Sequence, residues 1–233
     1  MNKLWILAAG FVLVGAGTAI EAAGPIDGEV GAIYWNSDFD SSGVSALTSD
    51  AGSPGFRASL WLFNKYGVKA GVYRTDLDDF SAIETSNYTS LDFMWRPLSP
   101  TQNNYFAVGL GWQQMDLNTI GLEGDTYGVR LNVEGRVGLG KILFVYGEVS
   151  YLPSLDDATA TTVGFGQFED MSGYEYEVGV SWKMFPFVQL RGGYRMHSVD
   201  FSQTGLDPLL GFGTEMDGTA ESSGFLAGLT FNF

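Results

Sequence analysis

Cysteine is absent from the 233 residues, so neither disulfides nor thiolate metal sites are available, whatever the redox state of the compartment. Positive charge is scarce: 12 Lys and Arg stand against 27 Asp and Glu, for a formal net charge of −15. That balance argues against nucleic acid or anionic lipid head groups as direct partners, because both would repel it. Histidine occurs once, at position 197, which narrows any catalytic base of that type to a single residue. No run of Ser, Pro or charge marks a linker. A single domain therefore follows the N-terminal segment.

Long apolar runs are missing too, except at the start. Lys3 supplies a positive region, Leu4 to Ile20 is apolar, and small residues follow at Ala19, Ala22 and Ala23. This pattern reads as a secretory signal over 1–22, cleaved after Ala22 with Ala19 as second choice. The run is diluted by glycine and is marginal against the roughly 20 apolar residues of a membrane helix. Its removal takes away one cation and one anion, Lys3 and Glu21, so the balance of the mature domain, 23–233, is unchanged. No later stretch suits a membrane helix, yet mean hydropathy is +0.05. An exported chain of this kind can still cross a membrane as a closed barrel, where every backbone polar group pairs between strands.

What is present is alternation with a period of two. Val129, Leu131, Val133 and Val137 share a face opposed by Arg130, Asn132, Glu134 and Arg136. Tyr174, Tyr176, Val178, Val180 and Trp182 oppose Glu175, Glu177, Ser181 and Lys183; Val188, Leu190, Tyr194 and Met196 oppose Gln189, Arg191, Arg195 and His197. Phe106, Val108, Leu110 and Trp112 oppose Ala107, Gly109, Gly111 and Gln113. Helical spacing would mix these sets, so strands are expected. They fall near 26–35, 55–63, 68–75, 90–96, 105–114, 127–137, 142–151, 173–183, 188–198 and 223–233. Short connections at Asn64–Gly67, Pro97–Asn104, Gly138–Lys141 and Met184–Phe187 alternate with long ones at 36–54, 76–89, 115–126, 152–172 and 199–222. That sorting predicts an all-β fold, an antiparallel up-and-down transmembrane barrel of ten strands with acidic loops at one end. An eight-strand barrel, with 68–75 and 90–96 packed differently, is the alternative.

Periodicity alone does not say which face points inward. Aromatics near the short turns (Trp95, Tyr105, Trp182, Phe185, Phe187) and near the long loops (Tyr34, Trp112, Tyr127, Tyr151, Tyr174, Tyr194) read as two interfacial girdles. Gly71, Gly109, Gly111, Gly179, Gly193 and Gly228 suit a crowded polar lumen. The chain ends in Phe225-Leu226-Ala227-Gly228-Leu229-Thr230-Phe231-Asn232-Phe233. With Phe225, Leu229, Phe231 and Phe233 on alternate positions and an aromatic last residue, this closing segment resembles that of bacterial outer-membrane β-barrel proteins, the small porin-like and OmpA-like barrels. The resemblance implies export through the periplasm of a Gram-negative envelope, assembly by the barrel-assembly machinery, and contact with outer-membrane lipid and lipopolysaccharide.

Candidate sites follow from the inward face. A tight turn about Pro186 sets Glu177 beside Arg195 and Glu175 beside His197. Arg130, Glu134, Arg136 and Glu148 form a second cluster, and Arg191 completes the charge network. Unpaired charges in a narrow lumen are costly, so pairing is expected for stability alone; a selectivity ring is the functional alternative. Catalysis is not expected. Ser198 points away from His197 on a strand, and lipid A deacylases space these residues two apart. Asp76-Leu77-Asp78 is similar to the first acidic pair of omptin proteases, but Arg195 stands where their second pair needs Asp.

No cofactor is implied. Asp38-Phe39-Asp40-Ser41-Ser42-Gly43 matches the first half of a calcium loop, though Ser49 stands at the twelfth position. Asp76, Asp78, Asp79 and Glu84, or Asp156 and Asp157, would collect divalent cations loosely, bridging to lipopolysaccharide. In the loop 199–222, Phe201, Leu206, Leu209, Leu210 and Phe212 suit either a lid over the mouth or an adhesion surface. The expected role is that of a barrel with a narrow, charge-lined lumen, open or closed: a small-solute channel or a structural and surface protein, with a ligand-binding adhesin and then a hydrolase as alternatives.

Overall fold

A computed structural model describes residues 26–42, 47–77, 83–101, 103–119, 122–159, 167–206 and 213–233. The expected leader, 1–22, lies outside them. Eleven strands run in chain order: β1 (Ile26–Ser42), β2 (Leu47–Leu62), β3 (Tyr66–Leu77), β4 (Ile83–Thr101), β5 (Asn104–Thr119), β6 (Leu122–Gly138), β7 (Leu143–Leu152), β8 (Ala158–Thr159), β9 (Gln167–Phe185), β10 (Val188–Leu206) and β11 (Gly213–Asn232). β8 is a two-residue strand in a loop, paired only with the start of β9. The other ten pair each with the next, and β1 pairs with β11, so the sheet closes into an antiparallel barrel.

β3 and β4 pair continuously from Tyr66↔Trp95 to Thr75↔Ser86, which rules out the eight-strand alternative. Closure removes the sheet edges that lipid could not hydrogen-bond. At the seam Phe233 extends the β11 ladder. Its N–H donates to the Gly28 carbonyl at 3.0 Å, and the Gly28 N–H donates to its carbonyl at 2.9 Å. The Phe233 ring lies on Gly28, where a Cβ would stand 2.3 Å from it.

Most strands are longer than the alternation suggests. β1 has 17 residues, β9 and β10 have 19 each, and β11 has 20, against the roughly 9–11 that a tilted strand needs to cross a bilayer. The excess lies at the long-connection end, so the barrel continues as paired hairpins beyond the membrane. Much of each expected long loop is therefore strand. The polarity of the outer face changes where the membrane ends: Tyr34 gives way to Asn36 and Asp38, Trp112 to Gln114 and Asp116, Tyr127 to Asp125. Alternation is visible only where the outward residues are apolar, and above that level they are not.

Local chemistry accounts for the turns. Phe63 and Asn64 have φ of 54° and 53°, and the Lys65 N–H donates to the Leu62 carbonyl at 3.0 Å. The connection is thus three residues, Phe63–Lys65, starting one before the expected Asn64–Gly67; its left-handed pair suits Asn64 and strains Phe63. The β4–β5 register shifts at Trp95, Leu98 and Thr101, where Pro97 and Pro100 cannot donate to a ladder.

Candidate functional site

Inward side chains fill the bore in layers. Nearest the short turns, the Arg96 guanidinium lies between the rings of Trp61 and Tyr105, at 3.5 and 3.8 Å from their centroids. Met94 and Ala107 complete this floor. Gly109 leaves room for Met94, whose sulfur a Cβ at 109 would meet at 2.2 Å. Tyr105 is thus a lumen residue and not part of a girdle. It shares parity with Ala107, not with the outward Phe106. The remaining proposed girdle residues lie on the outer wall.

Above the floor lies the charge network. Glu134, Glu148 and Glu177 stand directly opposite one another across β6, β7 and β9, an arrangement that repels itself unless cations intervene. They come from the opposite wall. Arg57 on β2 donates through Nη1 to both Glu177 oxygens at 3.0 Å and through Nη2 to Glu148. Lys69 on β3 reaches Glu134 at 2.7 Å and Glu148 at 2.6 Å. Arg191 adds a 2.7 Å contact to Glu177. Arg130 lies 3.3 Å from Glu148, 3.2 Å from Glu175 and 3.7 Å from Asp92, and donates to Ser150 at 2.6 Å.

The expected register is present: Glu177 stands opposite Arg195 and Glu175 opposite His197. The ion pairs run diagonally, however. Arg195 bonds Glu175 at 2.9 Å, which leaves Glu177 to Arg57 and Arg191. The proposed second cluster divides. Arg130 meets Glu148, whereas Arg136 crosses the bore to Glu29 and Glu134 takes Lys69 and the Tyr105 hydroxyl. Glu29, Arg57, Lys69, Asp92 and Arg96 join the network beyond the members expected from sequence. Their signal is parity, because each sits on the inward set of its strand.

Towards the open end, Ile33, Trp35, Tyr73 and Leu226 pack together, with the Arg195 guanidinium 3.9 Å from the Tyr73 centroid. The His197 ring meets Tyr88 edge-on at 4.8 Å, and its Nε2 lies 3.4 Å from the Gln113 amide nitrogen. Ser198 leaves the strand on the opposite face. A cap of Met115, Leu152, Leu155, Met171 and Val199 lies above, flanked by Phe168 and Phe201. Leu155 belongs to Pro153–Asp157, which folds inward: its N–H donates to the Met171 carbonyl and that of Asp156 to the Tyr127 carbonyl, both at 2.8 Å. The cap thus comes from 152–172 as well as from Phe201. Leu209, Leu210 and Phe212 and the side chain of Leu206 lie outside the described residues.

The charge is sorted by place. In the lumen, Arg57, Lys69, Arg96, Arg130, Arg136, Arg191 and Arg195 match Asp27, Glu29, Asp92, Glu134, Glu148, Glu175 and Glu177 in number. After Glu21, every other acidic residue falls in 36–54, 76–89, 115–126, 152–172 or 199–222, and those segments contain no Lys or Arg. The half calcium loop is not a loop: Asp38–Ser42 is extended and paired with β2, so its oxygens cannot wrap an ion. Asp156 and Asp157 are exposed. Asp78 and Asp79 and the side chains of Asp76 and Glu84 lie outside the described residues. Among the described residues no cluster of His, Asp or Glu suits a metal.

One cavity lies within the network, walled by Glu29, Arg57, Lys69, Glu134 and Arg191, with about 30 Å³ of solvent-sized space. That is room for roughly two water molecules.

No family model and no curated protein matches the chain. Among solved structures, the outer membrane protease OmpT from Escherichia coli superposes with a TM-score of 0.60 at 10% identity, covering 94% of this chain and 100% of the protease. The COG4313 outer membrane channel from Pseudomonas putida F1 gives 0.45 at 11% identity, over 92% of this chain and 98% of the channel. OprG from Pseudomonas aeruginosa gives 0.40 at 13% identity, over 89% and 95%. At these identities the likeness is one of fold. The chain is a closed antiparallel β-barrel of ten strands, the fold of the outer membrane protease on which it superposes.

Proposed function

We propose that the protein works as a barrel sealed to solute diffusion, acting through the acidic surface it holds above the membrane in a structural and surface-interaction role. The observation that carries this reading is the stacking of three closures: the Trp61–Arg96–Tyr105 floor, the cross-bore ion pairs and the Leu155 cap. Ten strands enclose far less space than the 16 of a general porin. Divalent cations gathered loosely by the acidic hairpins link them to lipopolysaccharide phosphates. Phe225, Leu229, Phe231 and Phe233 serve as the signal to the barrel-assembly machinery.

Planar-bilayer recording tests the sealed reading. Protein verified as folded by its heat-modifiable gel mobility is expected to give no stepwise conductance. Reproducible steps from that material would overturn the reading in favour of a small-solute channel.

A further inference from the structure

The net charge of −15 speaks against anionic lipid only if the charge is evenly spread, and it is not. Besides the seven lumen cations above, the mature chain has four: Arg74 towards the long-loop end, Lys65 and Lys141 at the short turns, and Lys183 at the turn-side lip on the inward set of β9. Each of these lysines stands among large apolar side chains. Lys65 lies between Phe63, 74% exposed, and Tyr66, its Nζ 5.7 Å from the Tyr66 centroid and hence along the outer wall. Lys141 is exposed between Leu139 and Ile142; Lys183, half-buried at the lip, adjoins Trp182 and Met184. The anions at this end are Asp27, which faces Arg96 and Arg136 in the lumen, and the terminal carboxylate of Phe233. The exposed Lys65 and Lys141, with Lys183 at the lip, therefore make the turn-side rim cationic next to the lipid-facing belt.

We propose that this rim is a collar for anionic phospholipid of the phosphatidylglycerol type, drawn from the leaflet on the turn side. The apolar neighbours lie at acyl-chain depth while the lysine stems extend to the phosphates. A zwitterionic head group carries no net charge for them to select. Each lysine near an anionic lipid surface contributes a preference of about five-fold, the equivalent of ~1 kcal/mol.

Tryptophan quenching by brominated lipids reads this directly. With Trp112→Phe removing the tryptophan of the opposite rim, Trp95 and Trp182 are the outward-facing ones left, since Trp35 and Trp61 are buried in the lumen. In mixed vesicles at equal mole fraction, brominated phosphatidylglycerol is expected to quench more strongly than brominated phosphatidylcholine. The preference should fall as salt is raised. It should vanish in Lys65→Gln/Lys141→Gln/Lys183→Gln and persist in the corresponding triple Arg variant. Equal quenching by the two lipids in the parent, or a preference untouched by salt, overturns the proposal even where the triple Gln variant does not fold. A preference that survives the triple Gln change overturns it as well.

Discussion

Replacing Arg57 by Met keeps most of the side-chain volume and removes the charge, which isolates the electrostatic role of the cross-bore clamp. Arg57 is 12% exposed, and its partners Glu177 and Glu148 are 1% and 3% exposed. Removing one partner from a buried ion pair costs about 3–5 kcal/mol, whereas a solvent-exposed pair is worth about 0.2–1 kcal/mol. The lower end applies here, because Lys69 stays 2.6 Å from Glu148 and Arg191 stays 2.7 Å from Glu177. The expected loss is therefore about 3 kcal/mol, read from urea unfolding in micelles by tryptophan fluorescence. Adding Glu177→Gln removes one of the stranded carboxylates and should restore about 1 kcal/mol or more, as expected for residues in direct contact. Neither variant should conduct, since the floor and the cap are untouched. A loss below about 1 kcal/mol would refute the reasoning, for it would mean that the carboxylate row is bathed in solvent and the bore is a water-filled pore.

Two further outcomes follow from the ends of the strands. Asp116 stands directly opposite Asp125 on the outer face above the membrane, and burial together with the Asp125 charge raises its pKa above the usual aspartate range. The folded state then binds the proton more tightly than the unfolded chain, so stability rises as pH falls through the raised pKa. Asp116→Asn should stabilise the barrel at neutral pH, with a gain that shrinks on acidification; a pH-independent effect in urea titrations would contradict this. Deleting Phe233 removes two backbone hydrogen bonds at the seam, worth about 1 kcal/mol each. The purified variant should still refold in detergent, while its heat-modifiable form in cell envelopes falls sharply. Equal envelope levels would remove the assembly role of this residue.

The amino-acid sequence by itself determines which residues face the lumen. A strand has only two faces, so a period of two sorts its residues into two sets, and the aromatic bands and the closing segment then assign the set of Arg130, Glu175, Arg191 and His197 to the inner wall. The short Pro186 turn brings β9 and β10 together as counting suggests, and a one-residue shift at Val188/Gln189 completes the register that sets Glu177 opposite Arg195. Counting does not reach across a bore. That Arg57 meets Glu148 and Glu177, or that Arg136 meets Glu29, depends on closure, which brings β2 and β1 to face β7, β9 and β6. Nor can alternation follow strands past the membrane, where both faces turn polar, so the length of β11 and the strand character of Asp38–Ser42 emerge only from pairing. The stacking of the inward layers is tertiary. Trp61, Arg96 and Tyr105 lie on three different strands, Leu155 on a connection, and only the closed barrel stacks them along one axis.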